Sequence, residues 1–252
     1  MAGSPSEIVA EGERLARLAG DADVPLRLIG GVAIRLRASA PVPESLARTY
    51  GDLDFVAGRG RSGDVTRLFR EAGYEPDGPF NALHGKRRLI FHDAAQGRKV
   101  DVFVGEFAMC HRVPVDDRLL LEPETLPLAE LLLTKLQIVE LNEKDVRDAL
   151  TLLHGHEVAE HDGDAVNAAR VAELCASDWG LWRTFTRNVE ECRDRVPGYA
   201  LPDGDGAAVA QRLDALLERI EREPKSRGWR LRARVGERVR WYELPEEPGE
   251  AV

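Results

Sequence analysis

Apolar positions recur along this chain with two different periods, and the change between them lays out the predicted elements. Ile8, Val9, Leu15 and Leu18 fall on one side of a helical wheel, predicting an amphipathic helix over 6–18 that ends near Gly20. A strand over 25–29 is followed by a glycine turn and a helix over 32–38, which Pro41 and Pro43 close. A second strand over 52–56 precedes a helix over 62–71, stopped by Gly73. Strands over 89–92 and 99–104 flank the small polar residues 93–98, a hairpin loop. Helices are predicted over 128–141 and 145–153, the second with Asn142 as N-cap and Asp145 as its capping-box acid. Beyond His154 the polar segment 156–163 reads as a linker, followed by helices over 165–176, 179–193 and 206–221. Residues 229–244 alternate apolar and charged positions around Gly236-Glu237, the pattern of a closing β-hairpin.

These elements make an α+β chain. A small mixed sheet with helices is expected over 1–155, and a helical region with a terminal hairpin over 156–252. The chain has 252 residues, of which 43% are apolar, enough for one packed domain plus an appendage or for two small domains. The net charge of −9 argues against a wholesale nucleic-acid coat, although a local basic groove is compatible with it. Cys110, Cys175 and Cys192 have no paired spacing, so neither a disulfide framework nor a zinc knuckle is expected. The greasiest stretch, 128–141, is interrupted by Glu130, Lys135 and Glu140 and does not read as a membrane span. Residues 1–14 carry Glu7, Glu11 and Glu13 in place of an apolar signal core, so a cytoplasmic, soluble protein with no membrane partner is expected.

The candidate chemistry lies in acids placed on apolar strands, where aspartate is disfavoured. Asp52 and Asp54 are two apart on a strand and share a face, with Leu53 and Phe55 behind them. Asp101 sits between Val100 and Val102 on a strand that can pair beside the first. Carboxylates crowded in this way repel one another, and hard divalent cations that prefer oxygen relieve the repulsion. Two Mg²⁺ ions held by Asp52, Asp54 and Asp101 could steady both oxygens of an in-line displacement on a nucleoside triphosphate. The bland alternative is three solvent-facing strand acids.

Gly30-Gly31 can be a tight strand-to-helix turn, bare backbone that meets phosphate, or both. Lys135, alone in an apolar helix, either snorkels to solvent or balances phosphate charge. Asp145 and Asp148 share a helix face, where Asp148 can hold Lys135 or Arg147 or help orient an acceptor. His154, His156 and His161 read as linker residues, Cys110 beside His111 has no orienting third partner, and Lys86-Arg87-Arg88 reads as a basic strand edge or as a phosphate or acceptor contact near the active face. Six arginines between 227 and 240, flanked by Trp229 and Trp241, suit either RNA or the exposed face of a half-buried hairpin.

The ordered set Gly30-Gly31-Val32-Ala33, Arg48-Thr49-Tyr50-Gly51-Asp52-Leu53-Asp54-Phe55, Val100-Asp101-Val102, Leu133-Thr134-Lys135-Leu136 and Lys144-Asp145-Val146-Arg147-Asp148 resembles the nucleotidyltransferase superfamily that shares the polymerase-beta palm. Within that superfamily it looks like the AbiEii-type branch, which includes toxins of bacterial toxin–antitoxin and phage-defence systems. The resemblance spans roughly residues 24–153. It implies a magnesium-dependent enzyme that uses a nucleoside triphosphate, with Gly30 and Gly31 at the nucleotide and Asp52, Asp54 and Asp101 as metal ligands. Lys135 would be the phosphate-side lysine and Asp148 the later acidic motif. An RNA, protein or small-molecule acceptor and an antitoxin partner follow as expectations. A catalytically silent nucleotide-binding module and a pure interaction protein of the same fold stand as alternatives.

Overall fold

The computed structural model describes residues 5–93, 95–202 and 204–244. Helix α1 (Pro5–Asp21) leads into strand β1 (Leu26–Ile29) and helix α2 (Gly30–Arg37). Strand β2 (Asp52–Ala57) and helix α3 (Ser62–Glu71) come next, then β3 (Glu75–Pro76), α4 (Gly78–His84), β4 (Arg88–Asp93) and β5 (Arg98–Val104). The five strands form one mixed sheet in the order β1-β2-β5-β4-β3. Only β2 and β5 run parallel, because the chain crosses over through α3 and α4 between them and returns by the tight β4–β5 hairpin.

Strand alternation divides the sheet into two faces. Leu53, Phe55, Val100 and Phe91 are fully buried. Phe69 of α3 stacks on Phe91 at 4.5 Å and meets Phe55 edge-on at 5.9 Å. Gly12 brings α1 so close that a Cβ there would lie 3.2 Å from Leu53 and 3.1 Å from Val32. The opposite face of the same two strands carries Asp52, Asp54 and Asp101. The outer side of β1 is covered by the segment around Glu124, whose carbonyl accepts from the amide of Leu28.

A two-stranded antiparallel sheet, β6 (Glu106–Ala108) and β7 (Arg112–Pro114), precedes α5 (Leu128–Leu136) and α6 (Glu143–Gly155). Strands β8 (Glu157–Ala159) and β9 (Ala165–Asn167) then pair in parallel, and α7 (Ala168–Ser177), α8 (Trp179–Arg195), α9 (Asp205–Arg222) and α10 (Arg227–Val235) complete the chain. Buried side chains run without a break from Ile8 through Leu132 to Ile220. Glu130 of α5 is fully buried and ion-paired with Arg118 and with Arg170 of α7, which fixes α5 in this core.

The α+β architecture is the expected one, with three local corrections. The closing hairpin over 229–244 is replaced by helix α10, whose N-cap Ser226 accepts from the amide of Trp229. The less exposed side of α10 is formed by Trp229, Arg232 and Ala233, spaced as in a helix. Arg232 lies over the ring of Trp179 at 4.8 Å and so does the work of an apolar residue, which disguised the helical period as alternation. The linker over 156–163 instead begins with buried His156, bonded to the carbonyls of Arg37 and Asp164, and continues into β8. Helix α5 stops at Leu136 rather than 141, and Asn188 of α8 donates to the carbonyls of Leu136 and Ile138 where it ends.

Candidate active site

The parallel β2–β5 ladder sets Asp54 directly opposite Asp101, and Asp52 opposite Lys99. Asp52 is exposed at the rim, Asp54 half-buried and Asp101 buried. The crowding leaves a measurable mark on Asp54. Burial and the neighbouring charges of Asp52 and Asp101 push its carboxyl up to about 7, against the pull of Lys135 and Lys99.

Asp101 is already partnered. Arg88 of β4 grips it with both arms of its guanidinium, Nε to Oδ1 at 2.6 Å and Nη2 to Oδ2 at 2.7 Å, and Lys99 adds 3.1 Å to Oδ2. Arg88 is thus a site residue rather than only an edge charge. Among the described residues, no three His, Cys, Asp or Glu side chains are grouped as a metal-binding set.

Both glycines are filled by side chains of this site. Gly30 takes φ +68°, and a Cβ there would lie 2.5 Å from Asp54 Oδ2. At Gly31 a Cβ would fall 1.7 Å from Arg48 Nη2 and 3.0 Å from Asp148 Oδ2.

Lys135 projects from the last turn of α5 toward the first turns of α6. Its ammonium lies 2.8 Å from Asp148 Oδ2 and 3.1 Å from Asp145 Oδ1. Burial works against its charge, but Asp148 and Asp145 outweigh this and hold its pKa above the ordinary lysine value. Arg48 forks onto the same Asp148 at 2.7 and 2.6 Å and stacks over Tyr50 at 4.4 Å. Burial disfavours the Arg48 charge, yet its bond to Asp148 raises its pKa above the usual value. Asn142 caps α6 as expected, accepting from the amides of Lys144 and Asp145. The capping-box role expected of Asp145 gives way to its bond with Lys135, and its second oxygen is buried without a partner.

These groups wall a cleft of about 420 Å³, into which Gly31, Arg48, Tyr50, Asp52, Asp54, Lys99, Lys135, Lys144 and Asp145 look. A larger open groove of about 990 Å³ lies elsewhere, between α3 and α4. Asp52, Asp54, Asp101, Lys135, Asp148 and Gly31 therefore converge, with Gly30 packed against Asp54. Arg48 is the partner that sequence reasoning missed, while Arg88, which the sequence left between a strand edge and a contact near the active face, pairs with Asp101. Cys110, Cys175 and Cys192 are buried free thiols, and His111 pairs with Thr184 at 2.8 Å.

No family model and no curated protein matches the chain. Among solved structures it is similar to the antibiotic-resistance factor ANT(2'')-Ia, at 12% identity and a TM-score of 0.40, covering 58% of this chain and 83% of that one. It is also similar to a STING-associated CdnE c-di-GMP synthase from Capnocytophaga granulosa, at 12% identity and a TM-score of 0.25, covering 85% of this chain and 82% of that one. No helix among the described residues is long and apolar enough to cross a membrane.

Proposed function

We propose that this chain is a nucleotidyltransferase of the polymerase-beta-like kind, moving a nucleoside monophosphate from a nucleoside triphosphate to an acceptor hydroxyl and releasing pyrophosphate. The observation that carries this reading is the in-register pair Asp54–Asp101 on parallel strands, with Asp52 on the same face and a fixed lysine across the cleft.

The donor set suits a hard divalent cation. Asp52 and Asp54 offer carboxylate oxygens, and the raised pKa of Asp54 marks negative charge that the protein leaves uncompensated there. Asp52 and Asp54 would hold Mg²⁺, with Asp101 as the third ligand once Arg88 and Lys99 share or release it. When bound, magnesium supplies charge neutralisation at the phosphates and at the attacking and leaving oxygens.

The chain's own residues do the rest. Lys135, kept charged by two carboxylates, faces the phosphates and balances charge as pyrophosphate separates. Lys99 and Lys144 on the walls of the cleft attract the polyanion. Asp148, whose two oxygens are taken by Arg48 and Lys135, holds that cationic wall in place rather than meeting the acceptor.

The acceptor is an RNA, a protein or a small molecule, and a role in a toxin–antitoxin or defence pair fits the same chemistry. The test is incubation of the chain with each of four α-labelled nucleoside triphosphates, Mg²⁺, total RNA and cell extract. Label transferred by wild type and not by Asp52→Asn/Asp54→Asn supports the reading. Equal labelling by both, or by neither, ends it.

A further inference from the structure

Gly31 sits inside α2 with an unexceptional φ, so backbone conformation does not require glycine there. At this second position of the helix alanine would serve at least as well on propensity, so the reason for glycine lies in its surroundings. The three atoms nearest the missing Cβ are Arg48 Nη2 and Cζ, at 1.7 and 2.8 Å, and Asp148 Oδ2 at 3.0 Å. The space is taken by a guanidinium.

That guanidinium is the first link of a short chain of contacts leading to the cleft. Arg48 Nε donates to Asp148 Oδ1 at 2.7 Å and Nη2 to Oδ2 at 2.6 Å, a full fork. Lys135 donates to the same Oδ2 at 2.8 Å. Asp148 keeps only 3% of its side chain exposed, and Arg48 and Lys135 only 13% each, so these contacts are shielded from solvent. The ring of Tyr50, 4.4 Å from Arg48, braces the other side of the guanidinium. Loop 48–51, the start of α2 and the middle of α6 therefore meet at one cation.

We infer that Gly31 is a seat for Arg48, and that Arg48 is a positioning residue which aims Lys135 into the cleft by fixing Asp148. The inference rests on the nucleotidyltransferase reading for what Lys135 does. The seat itself does not depend on it. Gly31, which also looks into the cleft, then serves the nucleotide by admitting a side chain.

A stability and turnover cycle on the full chain tests this, using Gly31→Ala, Arg48→Ala, Arg48→Lys and the double variant Gly31→Ala/Arg48→Ala. Gly31→Ala is expected to lower Tm clearly in the wild-type background and to leave it nearly unchanged when Arg48 is already alanine. Arg48→Ala and Arg48→Lys are expected to lower kcat at least tenfold with KM for the nucleoside triphosphate moved less than threefold, since one ammonium cannot fork a carboxylate. If Gly31→Ala alone does not fold and the double variant does, the seat is supported. Equal loss from Gly31→Ala in both backgrounds, failure of both to fold, or normal kcat in Arg48→Ala overturns the inference. A wild type that turns over none of the four nucleotides sinks the transferase reading, and with it the aim assigned to Lys135, while the Tm cycle still judges the seat.

Discussion

Asp54 and Asp101 stand as in-register partners across the one parallel ladder of the sheet, and only Asp101 has a cation bound to both its oxygens. Asp54 is left to carry the unrelieved repulsion, which is why its carboxyl rises to about 7 through burial and the charges of Asp52 and Asp101.

A raised carboxyl pKa means that the folded chain holds a proton which the unfolded chain releases. Stability from this group is therefore complete below its unfolded value near 3.8 and falls as pH rises toward about 7. Asp54→Asn should thus stabilise the metal-free protein at pH 8, by on the order of 2 kcal/mol. The gain should shrink at pH 6. Thermal unfolding in chelator at the two pH values reads this directly, and a variant less stable than wild type at pH 8 refutes it.

Arg88→Ala leaves Asp101 buried with Lys99 as its remaining cation. Loss of a buried forked pair should cost about 2–4 kcal/mol in urea unfolding. Arg88→Met/Asp101→Leu should recover most of that cost, because no charge is then stranded. A double variant as unstable as Arg88→Ala would show that the pair is not what the strand depends on.

Lys135→Met removes the cation shared by Asp145 and Asp148 and should lower kcat for nucleotidyl transfer at least tenfold, about 1.4 kcal/mol of barrier, with KM for the nucleoside triphosphate moved much less. Arg48 still neutralises Asp148, while buried Asp145 loses its ion pair, so a drop in Tm should accompany the loss without abolishing the fold. Steady-state kinetics with each nucleotide, alongside circular dichroism, separates lost turnover from lost structure.

On α10 the tryptophan and the arginines should part company. Trp229 meets Trp182 edge-on at 5.1 Å, so Trp229→Ala should cost about 1–2 kcal/mol. Arg230, Arg234 and Arg238 are exposed, and replacing all three by Gln should move stability by no more than about 0.5 kcal/mol. Matching losses in the two proteins would contradict the orientation of this helix.

The strand-borne acids, the glycine turn and helices α3, α6, α8 and α9 were legible because each is a local pattern. Side-chain alternation places Asp52 with Asp54, and an Asn142 cap announces α6 within three residues. What the sequence hid was mostly arginine. Arg48 meets Asp148 one hundred positions away, and no window of neighbouring residues reports that pairing. Arg232 was missed for a related reason, since its aliphatic stem and planar head cover Trp179 while its letter counts as polar. Strands β3, β6, β7, β8 and β9 span two or three residues each, too few to display a period.

The parallel β2–β5 ladder also bears on how this chain becomes competent. Its two central acids come from positions 54 and 101, with α3, β3, α4 and β4 lying between them along the chain, so their pairing closes a long loop. Lys135 arrives later still, on a helix pinned through Glu130 to α7. A nascent or partly melted chain thus carries every reactive group and no workshop in which to use them, so competence should switch on as one late, all-or-nothing event of maturation.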